Sequence, residues 1–295
     1  MTHEAKSQLP PVGVLAAWGR LPVVVAEAMR NSGRRVVCLG VRDHADKADY
    51  RDLVDAFHWI GPSQLGTAIR LFRRYGVERA TMAGKFHKVR LYEPGAWFRF
   101  APDWTGFKAF YHHFIGHSGD RKDDTLLGTI VDVFANGGIT MEPATDFAPG
   151  LLVPEGLVAG KPLSAAQEAD VAFGWELARE MGRLDVGQSV CVHGRAALAI
   201  EAIEGTDLCI KRAGELCRQG GFTVVKVAKP EQDMRFDVPT VGVKTLESMR
   251  AAGGRVLAIE ADRTILLDAE AFRRFAHKHG LSVIARRESP AQAAA

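Results

Sequence analysis

Short apolar runs alternate with helix-length amphipathic stretches through roughly the first half of the chain, and no other feature restricts the fold as strongly. VGVLAA (residues 12–17) is followed by LPVVVAEAMRNSG (21–33), where Pro22 suits a first helical turn and Gly33 a stop. RVVCLGV (35–41) and AFHWIG (56–61) read as buried strands. PSQLGTAIRLFRRYG (62–76) places Leu65, Ile69, Leu71 and Phe72 on one side of a helix, and ERATMAG (78–84) is strand-like again. DDTLLGTIVDVFANGG (123–138) reads as a helix ending at paired glycines, with GITMEPA (138–144) returning as a strand. Alternating β and α units of this length demand a parallel sheet covered by helices, because the crossover between parallel strands needs a helix.

The pattern breaks at PATDFAPGLLVPEGLVAGKPL (143–163), a stretch rich in proline and glycine without a clear period. We expect an N-terminal α/β domain over 1–145, a linker over 146–163 and a second α/β domain over 164–295. The second half opens with Ser-Ala-Ala-Gln (164–167), a capping-box pattern. QSVCVHG and AALAIEA then flank Gly194 and Arg195 as a hairpin, and further helix and strand patterns follow. A chain of 295 residues is long enough for two such cores. Lys plus Arg (38) against Asp plus Glu (35) leaves +3, which argues against wrapping of nucleic acid but permits local phosphate grips. Cys38, Cys191, Cys209 and Cys217 lie far apart without a C-x-x-C, the start fails as a secretory signal, and no run approaches 18 apolar residues. A cytoplasmic protein is the expectation.

Five stretches carry candidate chemistry. The turn after residues 12–17 holds Gly19 before a helix, where unpaired N–H groups attract anions, but it has neither G-x-G-x-x-G nor G-K-[ST]. MAGKFHKVR (82–90) delivers Lys85, Lys88 and Arg90 past a strand end, where open parallel sheets bind ligands; a solvated loop is the plain alternative. HSGDRKDDTLL (117–127) sets Asp120, Asp123 and Asp124 around a helix start, where one of the three is a cap. His112, His113 and His117 lack the spacing of a transition-metal site. EAIEGTDLCIKR (201–212) ends a strand in acids and opens a helix at Gly205, Thr206 and Asp207, a phosphate cradle with Glu201 and Glu204 available as metal or hydroxyl partners. KVAKPEQDMRFDVPTVGVKT (226–245) is the most informative. It gathers Lys226, Lys229, Arg235 and Lys244 beside Glu231, Gln232, Asp233 and Asp237, followed by a turn at Thr240. Such a mixture suits hydrolysis of a phosphate bond: cations balance phosphoryl oxygens while carboxylates hold a hard divalent cation and orient a water.

LDVGQSV (184–190), LAIEAIEGTD (198–207) and the 226–245 stretch, with MAGK (82–85) and GDRKDDTLL (119–127), resemble the LpxI-type family of UDP-2,3-diacylglucosamine pyrophosphatases over nearly the whole chain. The resemblance implies a Rossmann-like N-terminal domain, a C-terminal catalytic α/β domain and a ligand cleft between them. It also implies an Mg²⁺-dependent hydrolase converting UDP-2,3-diacylglucosamine to 2,3-diacylglucosamine 1-phosphate (lipid X) and UMP, with water sent to the β-phosphorus. Carried over, it gives one essential aspartate, Asp233, with Asp237 as the other candidate. With the charges around them, the expected catalytic residues are Asp233, Asp237 and Lys229 and the expected metal ligands Asp233, Asp237 and Glu204. The substrate-binding set is Gly19, Lys85, Asp123, Asp124, Gln188, Glu204, Gly205, Thr206, Asp207, Lys226, Gln232, Arg235 and Thr240. The family's glycine-rich first loop departs here to AAWGRLP (16–22). A peripheral contact with the inner-membrane surface follows from the amphiphilic substrate, no nucleic acid is expected, and a homodimer is compatible with the sequence. The aromatic-rich WFRFAPDWTGFKAFYHHF (97–114) is the candidate acyl-chain groove or membrane contact, and equally a core helix. The alternatives are a UDP-sugar or lipid-binding protein of the same fold without catalysis and, disfavoured by the missing glycine motif, a nucleotide-sugar epimerase or dehydrogenase.

Overall fold

The computed structural model describes residues 9–85, 101–115, 123–230 and 232–287, with only the backbone of 110–115 and 123–126. It divides into two units, Met1–Pro149 with Asp233–Phe236, and Gly150–Gln232 with Asp237–Ala295.

The N-terminal unit runs β1 (Val12–Ala16), α1 (Leu21–Asn31), β2 (Val36–Val41), β3 (Ala56–Ile60), α2 (Leu65–Arg74), β4 (Arg79–Ala83), α3 (Trp104–Ile115), α4 (Asp123–Asn136), β5 (Thr140–Met141) and α5 (Ala144–Phe147). The strands form one parallel sheet in the order β3-β2-β1-β4-β5, so the chain winds one way from β1 to β3 and then reverses. All six residues of β2 are buried, as a strand covered on both faces requires. α2 buries Leu65, Ala68, Ile69 and Phe72, the i, i+3, i+4, i+7 stripe that packs a helix on a sheet. The Phe72 ring lies so close to Gly13 that a Cβ there would sit 2.6 Å from it. The amides of Gly66 and Thr67 at the start of α2 donate to Asp103, which also accepts from Gly106 N–H. Burial opposes ionisation of Asp103, yet these bonds and the Thr67 hydroxyl outweigh it and hold its carboxyl below the usual range. Phe236 packs on the same apolar cluster as Val131 and Phe134.

The C-terminal unit comprises β6 (Gly156–Ala159), α6 (Ala165–Arg183), β7 (Ser189–His193), β8 (Ala196–Ile200), α7 (Thr206–Leu216), β9 (Thr223–Lys226), β10 (Thr240–Val241), α8 (Val243–Ala252), β11 (Val256–Glu260), β12 (Ile265–Leu266), α9 (Ala269–His279) and β13 (Ser282–Arg286). Six strands form a mixed sheet, β6-β13-β11-β9-β7-β8, in which β13, β11 and β9 are parallel and the flanking strands antiparallel. β10 and β12 pair separately. One apolar cluster gathers Cys191, Ile210, Phe222, Leu246, Leu257 and Phe272; another gathers Val171, Trp175, Ala178, Val192 and Val225. The hairpin between β7 and β8 turns on Gly194 and Arg195, both at φ +59°, the left-handed pair of a two-residue turn. Their amides donate to Asp170, at 3.1 and 2.6 Å. Ser164 and Gln167 form the capping box that opens α6.

The stretch read as a linker contains an edge strand, β6, which pairs antiparallel with β13. Gly160 closes it at φ +85°, where a Cβ would meet Leu281 O at 2.2 Å. All four cysteines are buried and unpaired as disulfides, and burial pushes the Cys38 thiol far up. Among the described residues no helix is long and apolar enough to cross a membrane.

Candidate functional site

The turn from β1 to α1 is built where a doubly wound sheet holds ligands, at the carboxyl end of its strands. Here it is zipped to the strand beside it. Trp18 N–H donates to Lys85 O at 3.1 Å, Lys85 N–H donates to Trp18 O at 2.8 Å, and Ala17 N–H donates to Ala83 O at 2.9 Å. Gly84 makes the approach possible: at φ +99°, a Cβ on it would lie 2.8 Å from the backbone of Ala17. Gly19 stands at φ +112° with open space around it, and Lys85 is exposed. The amide of Trp18 is thus committed to the protein, leaving Gly19 and the first turn of α1 as the open part of the loop.

The 226–240 stretch forms a chain of polar contacts. Lys229 donates through Nζ to Asp185 at 2.6 Å, while its amide donates to Gln232 Oε1 at 2.9 Å. Gln232 in turn donates through Nε2 to Asp237 at 2.6 Å. Asp233 takes a fork from Arg235, with Nε at 2.9 and 3.0 Å from its two oxygens and Nη2 at 2.5 Å. The Arg235 guanidinium beside it holds the Asp233 carboxyl below the usual carboxylate range, against the opposing effect of burial. Asp233 and Arg235 belong to the N-terminal unit; Lys229, Gln232, Asp237 and Thr240 belong to the C-terminal one. The Thr240 hydroxyl donates to Val238 O and so closes its own turn.

A third cluster lies in the C-terminal unit, at the end of the sheet where β9 ends, β7 begins and β8 runs out. Lys226, 6% exposed, donates through Nζ to Thr206 Oγ1 at 2.8 Å and lies 3.4 Å from Ser189 Oγ. Thr206 donates onward to Glu201 Oε1 at 2.9 Å. Glu201 is 7% exposed, and its other oxygen has no hydrogen-bond partner among the described residues. The same holds for Gln188 Oε1. Gly205, at φ +84°, turns the chain into α7, whose first turn carries no side-chain cap. Asp207 accepts from Ser248 Oγ at 2.9 Å, and Glu204 accepts from Ala202 N–H and pairs with Arg212 at 2.8 Å.

The structure brings Thr206 together with Lys226, and Lys229 with Gln232 and Gln232 with Asp237, and adds partners that spacing alone did not expose. Ser189 and Asp185 are such residues; both sit within the LDVGQSV stretch. Glu260 is another. It ends the otherwise apolar β11, is buried, and accepts from Ala228 N–H at 2.8 Å, with Arg179 3.6 Å away. A charged residue closing an apolar strand was the signal. The helix bearing Asp123 and Asp124 is described without their side chains, and Lys88, Arg90, Asp120 and His117 lie outside the described residues. Of the aromatic stretch, Trp104 and Phe107 stack at 5.8 Å on an exposed face, whereas residues 97–100 lie outside the described residues.

Among the described residues no group of three or more His, Cys, Asp or Glu is arranged to hold a metal ion. Asp233 has both oxygens on Arg235, Glu204 is paired with Arg212, and Asp237 takes the Gln232 amide. Asp233 belongs to the N-terminal unit and Asp237 and Glu204 to the C-terminal one, and the described residues of neither unit assemble the three as one group.

Two α/β units, a parallel sheet covered by helices and a mixed six-stranded sheet, define a two-domain α/β protein. Residues 11–151 match the LpxI N-terminal domain and residues 154–284 the LpxI C-terminal domain, so the chain belongs to the LpxI family. It is 29% identical over 281 residues to the UDP-2,3-diacylglucosamine pyrophosphatase LpxI of Caulobacter vibrioides, covering 92% of this chain and 96% of that protein. Similarity to solved structures is slight. A biotin carboxylase domain of a thermophilic 2-oxoglutarate carboxylase and biotin carboxylase from Campylobacter jejuni each align at 11% identity and a TM-score of 0.26 over 72% of this chain. The chain spans only 33% and 43% of those two, and the likeness carries no argument.

Proposed function

We propose that this LpxI-family chain is a UDP-2,3-diacylglucosamine pyrophosphatase, which adds water across the pyrophosphate to release 2,3-diacylglucosamine 1-phosphate and UMP. The observation that carries the reading is the ordered match of both halves to the two domains of one family, with charged stretches at 198–207 and 226–245 that form polar clusters. Asp233 is the central catalytic residue of the proposal. Its depressed pKa makes it a poor proton acceptor and keeps it ionised at neutral pH, suited to orienting a water or a cation at the phosphorus rather than shuttling protons. Arg235 fixes its plane, and Lys229 and Arg235 supply positive charge for the phosphoryl oxygens. Asp237, held by Gln232, is the second carboxylate. The substrate-binding set comprises Gly19, Lys85, Asp123, Asp124, Gln188, Glu204, Gly205, Thr206, Asp207, Lys226, Gln232, Arg235 and Thr240.

Mg²⁺ dependence is what family membership implies. Mg²⁺ keeps several waters and takes one or two carboxylates together with substrate phosphates, so it does not need a group of three acids, which the described residues do not assemble. We place the enzyme in the cytoplasm, meeting its amphiphilic substrate at the inner-membrane surface. The test is UMP release from UDP-2,3-diacylglucosamine by the purified chain, with Mg²⁺ and with EDTA. Turnover that EDTA abolishes and Mg²⁺ restores is expected; tight binding without UMP release would mark a non-catalytic binder. In H₂¹⁸O, attack at the β-phosphorus puts the label in the sugar phosphate, and label in UMP would refute that direction.

A further inference from the structure

In the C-terminal unit the ladders on both sides of β9 end at Lys226, which faces Ile259 of β11 and Ser189 of β7. Val227 N–H still finds Gln188 O at 3.0 Å, but Ala228, fully buried, lies past the last register pair on either side. A buried amide without an acceptor is costly, and here a side chain supplies one: Glu260 Oε2 accepts from Ala228 N–H at 2.8 Å. Arg179 Nη1, from α6, donates to Ala228 O at 3.4 Å and lies 3.6 Å from Glu260 Oε1. Arg263 approaches the same carboxylate oxygen at 3.5 Å. Both backbone polar groups of one residue are thus held by one ion pair, drawn from a helix and a neighbouring strand. A third contact reaches the same place. Gly182, the next buried turn of α6 after Arg179, lies so close to the chain that a Cβ on it would stand 3.3 Å from both Lys229 Cα and Pro230 Cδ.

The residues that follow carry this placement outward. Lys229 N–H donates to Gln232 Oε1, Gln232 N–H donates back to Lys229 O at 3.1 Å, and Gln232 Nε2 donates to Asp237. The loop is therefore closed on itself, and its direction is set by the torsions of the residue at its root, because planar peptides leave only φ and ψ to turn it. A buried acid on backbone amides does not by itself imply a role in chemistry. Asp170 holds the amides of Gly194 and Arg195 in the same way and pins a hairpin. What leaves from the held residue makes the difference: from Ala228 it is Lys229, Gln232 and Asp237.

We propose that Glu260 is a positioning residue for the hydrolysis: with Arg179 it fixes the backbone of Ala228, and through it the placement of Lys229 and Asp237. The proposal rests on the pyrophosphatase reading and deepens it, because it names a residue outside the charged stretches on which two of the three catalytic residues depend.

The full-length protein is compared as wild type, Glu260→Gln, Gly182→Ala and Asp170→Asn, each well below its melting temperature. Glu260→Gln keeps an acceptor for Ala228 N–H and loses the charge that draws Arg179 and Arg263. Its kcat for UMP release should fall about tenfold with KM within about twofold, because a small misplacement of reacting groups is felt in the transition state more than in binding. Gly182→Ala presses on Lys229 and Pro230 with Glu260 in place and should give the same split; if Glu260→Gln does not fold, this variant carries the comparison. Asp170→Asn also loses a buried carboxylate on two amides, and should lower the melting temperature while leaving kcat within about twofold. In ¹⁵N-labelled protein the amide signals of Lys229 and Gln232 should move in Glu260→Gln and Gly182→Ala and stay in place in Asp170→Asn. A folded Glu260→Gln with wild-type kcat, a loss confined to KM, an equal loss of kcat in Asp170→Asn, or Lys229 and Gln232 signals that do not move would each overturn the assignment. Absence of UMP release by the wild type would overturn hydrolysis, and the amide signals would still decide whether Glu260 sets the loop. Normal release with those signals unmoved would remove Glu260 and leave the reaction standing.

Discussion

The two units place the same local design, strand then glycine turn then helix, at the end of a sheet, and they differ in what holds the turn. In the N-terminal unit the turn after β1 is stitched to the end of β4 through Trp18 and Lys85, and its lysine is exposed. In the C-terminal unit the turn after β8 leads into an uncapped α7 over a buried lysine and a buried glutamate. Position in the topology is therefore not enough to make a site. What distinguishes the second turn is buried charge whose hydrogen bonds are incomplete. The N-terminal unit acquires its tightest charged fork, Asp233 with Arg235, from a segment far along the chain that is anchored by Phe236.

That contrast can be broken by mutation. Asp233→Asn should lower kcat for UMP release about a thousandfold, about 4 kcal/mol in the transition state, while the loss of its exposed pair with Arg235 lowers the melting temperature by only about 2 °C. Near-normal turnover would remove the segment from the chemistry. Lys226→Met takes a buried donor from Thr206 and Ser189 and should cost about 3 kcal/mol of stability in denaturant melts, whereas Lys85→Met should change stability by no more than about 0.5 kcal/mol. Equal effects would erase the difference between the two turns. Gly84→Ala meets both a positive φ and a backbone contact, and should cost about 2 kcal/mol; Gly205→Ala, at φ +84° in open space, should cost only about 1 kcal/mol.

The smallest effect is in pH dependence. The Asp233 carboxyl is depressed in the folded chain, so the stability of its pair with Arg235 is present above the pKa of an unfolded aspartate and is lost as pH falls through the folded value. Arg235→Gln removes the main cause of the depression. The acidic limb of its kcat/KM profile should move to higher pH, and a limb that stays in place would mean that Asp233 does not titrate in it.

The N-terminal sheet was legible because period and punctuation agree: apolar runs bounded by glycines can only be buried strands when helices of the right length separate them. The capping box at Ser164 and the Gly194-Arg195 hairpin were equally local, and equally readable. β6 was not, since GLVA between proline and glycine becomes a strand only through β13, more than 120 residues away. The 226–245 stretch announced its charges but not their pairing. Lys229 meets Asp185 and Lys226 meets Thr206 because separate elements converge at one sheet edge. The attachment of Asp233–Phe236 to the N-terminal unit rests on Phe236, which packs on that unit's apolar cluster and which spacing alone did not mark.

The distribution of sulfur gives each unit a chemical signature. Cys38 lies in the N-terminal core, whereas Cys191, Cys209 and Cys217 lie in the C-terminal one, all beneath the surface. A thiol-alkylating reagent therefore finds nothing to modify until a core opens, and the mass it adds reports which one did: a single adduct for the first unit, three for the second.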